Sequence, residues 1–119
     1  MSIPKTLEIP AGVEAVRIEA EGITVAAHVA RIDNPRAHVL LVPGWTGSKE
    51  DFTQVLPLLA AAGFDVTAYD QRGQYETAAQ PHDDFTLKGF ARDANAVAAA
   101  ASPHPSHLLG HSFGGLVAQ

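Results

Sequence analysis

Residues 108–115 of this 119-residue chain, LLGHSFGG, contain its most informative motif. Residues 110–114 fit Gly-x-Ser-x-Gly, which is the pattern of a nucleophilic serine on a sharp turn between a strand and a helix. The apolar run before it predicts a short strand over 106–110, and the residues after it begin a helix. Glycines flank Ser112 because the strand and the helix approach too closely there for side chains. Ser112 is therefore the candidate nucleophile.

A negative charge that develops beside this serine needs hydrogen-bond donors, and the sequence offers two from the backbone. The helix that starts after the serine aims its first N–H groups at this point, so the N–H of Phe113 is one donor. The second comes from LLVPGWTGS, residues 40–48, a loop that follows a buried strand and opens a helix. In a parallel sheet this loop faces the same end as Ser112, and the N–H of Trp45 is the natural second donor.

The rest of the chain predicts strands that alternate with helices. Residues 13–32 alternate apolar and polar around a Glu-Gly pair, which indicates a hairpin. Continuous apolar runs predict buried strands at 37–43 and 64–70, and helical spacing predicts helices within 48–63 and 86–101. This order favours an α/β fold with a mostly parallel sheet, an antiparallel N-terminal hairpin and flanking helices.

Each predicted helix has a cap residue and an apolar stripe. Ser48 caps the first helix, with Asp51 three residues further on, and Gly63 ends it. Pro57 inside this helix bends it or shifts its start. Thr86 caps the second helix. The apolar residues at helical spacing are Phe52, Val55, Leu56 and Leu59 in the first helix and Leu87, Phe90, Ala94, Val97, Ala98 and Ala101 in the second.

The amino-acid composition limits the partners, the cysteine chemistry and the location that can be expected for this chain. The formal charge is −5 and no run of Lys and Arg exists, which argues against nucleic acid and membrane as partners. The absence of cysteine excludes disulfides, thiolate metal sites and a cysteine nucleophile. The start lacks the apolar segment of a signal peptide, and the longest apolar stretch is too short to span a bilayer. We therefore expect one globular domain in the cytoplasm.

The chain resembles the α/β-hydrolase fold family, of the esterase, lipase and haloperoxidase-like kind. Three motifs carry the resemblance, at the family's successive strand ends and in the family's order: VPGW at 42–45, DQRG at 70–73 and GHSFGG at 110–115. The resemblance covers nearly the whole chain from about Val13 onward. It implies that residues 1–119 are the N-terminal part of a single α/β-hydrolase domain, a truncated form of the fold that ends just after the nucleophile turn.

The resemblance also implies a function, that of a serine hydrolase acting on a small ester-like acyl substrate through an acyl-enzyme. Ser112 is then the nucleophile, and the backbone N–H groups of Trp45 and Phe113 are the oxyanion donors, with no cofactor and no metal. Two residues depart from the family pattern. Pro43 stands where the family usually has His, and Tyr75 replaces the second Gly of Asp-x-Arg-Gly-x-Gly-x-Ser. The resemblance therefore does not fix the course of the loop after DQRG.

No base for Ser112 is evident among the six histidines of the chain. In the family, the triad acid and His follow the serine in chain order, so both would lie downstream of Gln119. His107 precedes Ser112 by five residues, roughly 16 Å along a strand, and so lies at the wrong end of the sheet; His104 is farther still. The remaining histidines are His28, His38 and His111, which we interpret as structural, and His82, the one with a conceivable route to the serine.

Without a base, this chain alone is expected to be inactive. Asp70 is interpreted as fixing its loop through backbone N–H groups, and Arg72 as a loop anchor. The alternative function is a non-catalytic interaction module that keeps the first half of the fold, with self-association through an exposed sheet edge at 106–110. A phosphate-binding loop is disfavoured, because GHSFGG lacks the glycine and lysine spacing of such loops.

Overall fold

A computed structural model describes residues 11–44, 47–74, 76–77, 86–103, 106–110 and 117. The order of its elements confirms the predicted alternation of strands and helices. In chain order they are β1 (Glu14–Ala20), β2 (Ile23–Ala30), β3 (Ala37–Val42), a 3₁₀ turn (Lys49–Phe52), α1 (Val55–Ala61), β4 (Phe64–Tyr69), α2 (Leu87–Ala101) and β5 (Ser106–Gly110).

The five strands form one mixed sheet in the order β1-β2-β4-β3-β5. β1 and β2 are the predicted antiparallel hairpin, and Gly22 in its turn has a φ of 82°, which glycine adopts without strain. β2 pairs antiparallel with β4, whereas β3 lies parallel between β4 and β5. The predicted fold class is confirmed, and the carboxyl ends of β3, β4 and β5 lie at one edge of the sheet.

Both faces of the sheet are covered, so β3 is apolar apart from His38, as its sequence predicts. Its side chains alternate between two cores. One core packs against α2, and its members include Leu40, Val42, Tyr69, Phe90 and Val97. The other packs against the 3₁₀ turn and α1, and its members include Val39, Leu41, Phe52, Leu56 and Val66.

The helix predicted within 48–63 is split, which corrects the sequence-based expectation of one continuous helix. The N–H of Ser48 donates to the Asp51 carboxylate at 3.3 Å, as the capping pattern predicts, but only a 3₁₀ turn follows. α1 then begins at Val55. Pro57 consequently lies in the first turn, where its missing N–H has no helical partner to lose. Of the two predicted effects of Pro57, the structure shows the later start of the helix.

The second helix follows its prediction more closely. Thr86 Oγ1 accepts a hydrogen bond from the N–H of Gly89 at 3.1 Å, which confirms the cap. Leu87, assigned to the apolar stripe, is instead 45% exposed, because the stripe turns towards the sheet only from Phe90 onward. Asp93 is buried, although charged side chains usually lie at the protein surface. None of the helices in the described ranges is long and apolar enough to cross a membrane.

Candidate active site

The loops predicted to form the site leave the sheet at neighbouring points. Val42, the last residue of β3, is in register with Gly110, the last residue of β5. Adjacent strands lie about 4.8 Å apart, so the segments that follow start side by side. Ser112, Phe113 and Trp45 themselves lie outside the described residues, so their roles stay predictions. The structure describes the ends of β3 and β5, which directly precede the segments that contain these three residues.

Asp70 ties the loop after β4 to the segment after β3. It follows the last residue of β4 and is fully buried. Its Oδ1 accepts the N–H of Lys49 at 2.8 Å, and its Oδ2 accepts the N–H of Glu76 at 3.1 Å. The prediction that Asp70 fixes its loop through backbone N–H groups is confirmed.

Lys49 lies at the centre of a buried cluster of charges. Its Nζ lies 3.0 Å from Asp70 Oδ2, 3.1 Å from Glu50 Oε2 and 2.5 Å from Glu76 Oε1. Lys49 is 1% exposed, whereas the Glu76 side chain is about half exposed. A buried ion is tolerated only when it is paired and hydrogen-bonded, and all three carboxylates meet that need here.

The pKa values in this cluster follow from burial and from these bonds. Burial alone would lower the pKa of Lys49, but the hydrogen bonds to Glu76 and Asp70 raise it above its ordinary value. Burial raises the pKa of Asp70 more than the bonds from Lys49 lower it. The hydrogen bond from Lys49 lowers the pKa of Glu76. Lys49 therefore carries its positive charge at neutral pH.

The same three carboxylates have the spacing of a metal site. One oxygen each of Glu50, Asp70 and Glu76 lies within 4.8 Å of the others. Lys49 Nζ is bonded to all three, so its ammonium group already supplies the positive charge that a metal ion would bring. We assign the cluster a structural role. No periodic pattern in the sequence predicts this cluster, because its members come from the 3₁₀ turn and from the loop after β4.

His28 is the histidine of the described part nearest this cluster. It is 4% exposed, and its Nε2 lies 3.5 Å from Glu50 Oε2, while burial lowers its pKa. β4 and β3 separate its strand from β5, so roughly three strand spacings, about 14 Å, divide it from the end of β5. A general base must lie within hydrogen-bond reach of the hydroxyl that it deprotonates. The interpretation of His28 as structural is consistent with this separation.

Two other histidines lie at the opposite edge of the sheet. His38 is buried between Ser106 Oγ, 2.7 Å from its Nδ1, and Thr67 Oγ1, 2.8 Å from its Nε2. His107 meets Phe64, the first residue of β4, in an edge-to-face contact. Both predictions, a structural His38 and a His107 at the wrong end, are confirmed. His82, His104 and His111 lie outside the described residues.

Arg72 anchors the loop after β4 to α2, as predicted. Its Nε donates to Asp93 Oδ2 and its Nη2 to Asp93 Oδ1, both at 2.6 Å. The pair is bidentate and almost fully buried. Burial beside Asp93 also raises the pKa of Tyr69, so its phenol keeps its proton.

Two glutamines brace the loop after β3, and the sequence analysis missed them. Gln71 Nε2 donates to the carbonyl of Pro43 at 3.2 Å, and Gln74 Nε2 donates to the carbonyl of Gly44 at 2.8 Å. The glutamines are joined to each other, because the N–H of Gln71 donates to Gln74 Oε1 at 2.8 Å. The loop whose course the family pattern left open thus runs against the predicted oxyanion loop.

Comparisons with known proteins agree with the fold and the strand arrangement described above. The sequence profile of the family described as "alpha/beta hydrolase fold" matches residues 37–119. "Putative carbamate hydrolase RutD" of Variovorax paradoxus is 38% identical over 79 residues, which are 66% of this chain and 30% of that protein. "Probable oxidoreductase EphD" of Mycobacterium tuberculosis is 35% identical over 97 residues, 79% of this chain and 16% of that protein.

A solved structure shares the fold at lower identity. The epoxide hydrolase VrEH1 of Vigna radiata superposes with a TM-score of 0.78 at 21% identity, over 89% of this chain and 32% of that one. The chain therefore spans less than a third of the length of each of these three proteins. The profile match extends from the start of β3 over well more than half of the sequence. The chain belongs to the α/β-hydrolase fold family.

Proposed function

We propose that this chain carries the nucleophile and the oxyanion donors of a serine hydrolase that acts on ester-like acyl compounds. The observation that carries the proposal is the register of Val42 with Gly110, which starts the Trp45 loop beside the segment that holds Ser112. A nucleophile and a backbone donor on adjacent strand ends are what acyl transfer requires. The carbamate hydrolase relative supports the same class of chemistry, because a carbamate is an acyl compound.

The reaction proceeds in two steps. Ser112 Oγ attacks the carbonyl carbon and passes its proton to a base, while the N–H groups of Trp45 and Phe113 bind the oxygen that becomes negative. The tetrahedral intermediate collapses, and the leaving alcohol departs with that proton. Water then attacks the acyl-enzyme, which releases the acid and restores the serine.

The chemistry of serine favours acyl compounds over epoxides, the substrates named by the Vigna radiata structure. A serine oxygen that opened an epoxide would form an ether, which water does not readily cleave. A carboxylate nucleophile would form an ester instead, which water can hydrolyse. The oxidoreductase name belongs to a protein of which this chain matches only 16%. Ser112 in the nucleophile position is thus best suited to acyl transfer.

We further propose that the acid and the base of the triad come from a region outside residues 1–119. The described histidines support this. His28 is separated from β5 by two strands, and His38 and His107 contact residues at the far edge of the sheet. The carbamate hydrolase relative is also more than three times as long as the matched segment. Residues 1–119 alone are then expected to hydrolyse esters only at a trace rate.

The test is hydrolysis of 4-nitrophenyl acetate by residues 1–119 and by the longer protein that contains them. We expect trace turnover in the first and turnover lost on Ser112→Ala in the second. Ser106→Ala is the matched control, because it makes the same change at the other end of β5 and should keep the activity of the folded protein. Full turnover by residues 1–119 would contradict the external base, and turnover that survives Ser112→Ala would contradict the nucleophile.

One observation favours the second candidate, an interaction module. On β5 the side chains of Leu108 and Leu109 are 39% and 48% exposed, and no other described strand pairs with its outer edge. An apolar strand edge is a template for another chain. Light scattering on residues 1–119 distinguishes the outcomes. A dimer or larger species that Leu109→Lys converts to monomer supports association through β5, whereas a monomer at all concentrations contradicts it.

A further inference from the structure

We infer that Gln74 is a positioning residue for the oxyanion hole, acting through the Gly44 carbonyl. The inference rests on the proposed function, since it concerns the same site. Its basis is the hydrogen bond of 2.8 Å from Gln74 Nε2 to the Gly44 oxygen. That carbonyl belongs to the peptide group whose nitrogen is the N–H of Trp45, the proposed donor.

The planarity of the peptide bond transmits this contact. In a trans peptide the C=O of one residue and the N–H of the next lie in one plane and point in opposite directions. A side chain that fixes the direction of the Gly44 carbonyl therefore also fixes the N–H on the other side of the bond. Oxyanion donors contribute most when their direction is set before the reaction begins, because no reorganisation is then needed.

The Gly44 carbonyl is held from two sides. The N–H of Gly47 donates to it at 3.1 Å from within the same loop, and Gln74 donates to it from the loop after β4. The first bond moves with the loop and cannot orient it relative to the sheet. The second bond can, because the loop of Gln74 is fixed to α2 through Arg72 and Asp93.

The amide of Gln74 makes two contacts at once. Its Oε1 accepts the N–H of Gln71 at 2.8 Å while its Nε2 donates to the Gly44 carbonyl, so the side chain acts as an acceptor and as a donor. Gln71 braces the preceding carbonyl, that of Pro43, and is 1% exposed. The two side chains hold consecutive carbonyls, which fixes the orientation of the loop as well as its position.

Gln74→Glu separates the two contacts, because it keeps the acceptor for Gln71 and removes the donor to Gly44. In a protein that also contains the proposed acid and base, we expect kcat for 4-nitrophenyl acetate to fall about tenfold, the order of one lost hydrogen bond to a carbonyl, with KM changed less than about twofold. Gln74→Met, which removes both contacts without adding charge, should lower kcat at least as much. Gln54→Glu, the same change at an exposed glutamine, is the control and should leave kcat unchanged.

Protonation supplies a rescue that a general loss of stability would not show. At low pH the introduced carboxyl gains an O–H that can donate to Gly44. A glutamate becomes largely protonated only near its ordinary pKa of about 4.3, so the ratio of variant to wild-type kcat should rise as the pH falls from 8 to about 4 for Gln74→Glu and stay constant for Gln74→Met. Phenylboronic acid, which becomes tetrahedral and anionic on a serine oxygen, should bind both Gln74 variants more weakly in parallel with kcat.

The outcomes of the two proposals are distinct. If the protein that also contains the proposed acid and base neither hydrolyses the ester nor binds the boronic acid, the proposed function is contradicted, and this inference falls with it. Active wild type with unchanged kcat and boronic acid affinity in both Gln74 variants overturns the positioning role alone. Thermal unfolding of each variant, compared with wild type, identifies a loss of kcat that comes from unfolding, and such a loss without rescue by acid also counts against the inference.

Discussion

The two edges of the parallel strands bury polar groups of different kinds. At the amino edge, His38 bridges the hydroxyl groups of Ser106 and Thr67. At the carboxyl edge, Lys49 is bonded to three carboxylates and Arg72 forms a bidentate pair with an aspartate. The most buried polar side chains of the amino edge therefore join a ring to uncharged hydroxyls, whereas those of the carboxyl edge include paired ions.

The difference indicates where the fold must hold its loops. Removing ions from water costs several kcal/mol each, and bonds between the ions offset that cost only when the geometry is good. Such contacts are therefore a costly way to stabilise a sheet that already has two apolar cores. They lie at the edge where open α/β sheets place their sites, and they bind the loops after β3 and β4 to each other and to α2. Substitutions at the two edges should accordingly change the free energy of unfolding by different amounts and with different pH dependence.

Breaking the Arg72–Asp93 pair should have the largest effect. Arg72→Met leaves Asp93 charged and 3% exposed, and we expect it to lower the free energy of unfolding by about 3 to 5 kcal/mol. Urea unfolding measures the change. Arg31→Met, which removes an exposed arginine, is the control and should cost less than about 0.5 kcal/mol.

The double variant Arg72→Met, Asp93→Leu tests whether the loss of stability comes from the unpaired charge. Removing both charges leaves no unpaired ion, so most of the lost free energy should return. If the double variant is no more stable than Arg72→Met, the cost comes from lost packing and not from a buried charge.

Lys49→Met should have the next largest effect, and one that depends on pH. It leaves Asp70 and Glu50 buried without their cation, at a cost of about 3 kcal/mol at pH 7. Burial already raises the pKa of Asp70, and loss of Lys49 raises it further. The folded state then binds a proton more readily than the unfolded state, so the deficit should shrink as the pH falls from 7 to 5. Lys88→Met, at an exposed position, is the control; a deficit that does not vary with pH would contradict the explanation.

The elements of the sheet were largely predictable from the sequence, whereas the partners of His38 at the amino edge were not. Alternation between apolar and polar residues predicted the hairpin, and uninterrupted apolar runs predicted β3 and β4, because burial on one face or two imposes these patterns directly. The cap at Thr86 was predictable because a cap is a contact within four residues. The split of the first helix was harder, since Pro57 is equally compatible with a bend and with a later start.

The carboxyl edge was predictable only where a contact is local or a motif is known. The roles of Asp70 and Arg72 followed from DQRG, but their partners did not. Lys49 and Asp93 are each 21 residues away from the residue that they bond. Gln74 lies 30 residues from Gly44. Such pairs leave no periodic trace in one sequence, and a buried lysine or aspartate contradicts the usual exposure of charged residues.

Substitution of His38 tests the amino edge. His38→Leu leaves the hydroxyl of Thr67, a residue that is 2% exposed, without this partner, and we expect a loss of about 1 to 3 kcal/mol in the free energy of unfolding. The ester hydrolysis rate of the folded protein should not change, because the contact lies at the edge opposite the proposed site. A fall in kcat at pH values where the variant is fully folded would contradict the division of roles between the two edges.

The smallest change in stability is expected for a substitution of His28, which lies at the carboxyl edge. This residue contributes to the pH dependence of stability at that edge. Burial lowers its pKa despite the charge of Glu50, so the folded state resists protonation of this ring. The unfolded chain takes up the proton near pH 6.5, and stability is therefore lost as the pH falls below that value towards the folded-state pKa. His28→Gln removes this titration, whereas the opposite contribution of Asp70 remains in both proteins and cancels from their difference. Urea unfolding of the two proteins at pH 7.5 and pH 5.5 should show a smaller loss of stability in the variant. An equal or larger loss would mean that the charges around Lys49, and not the buried neutral ring, set the acid sensitivity of this edge.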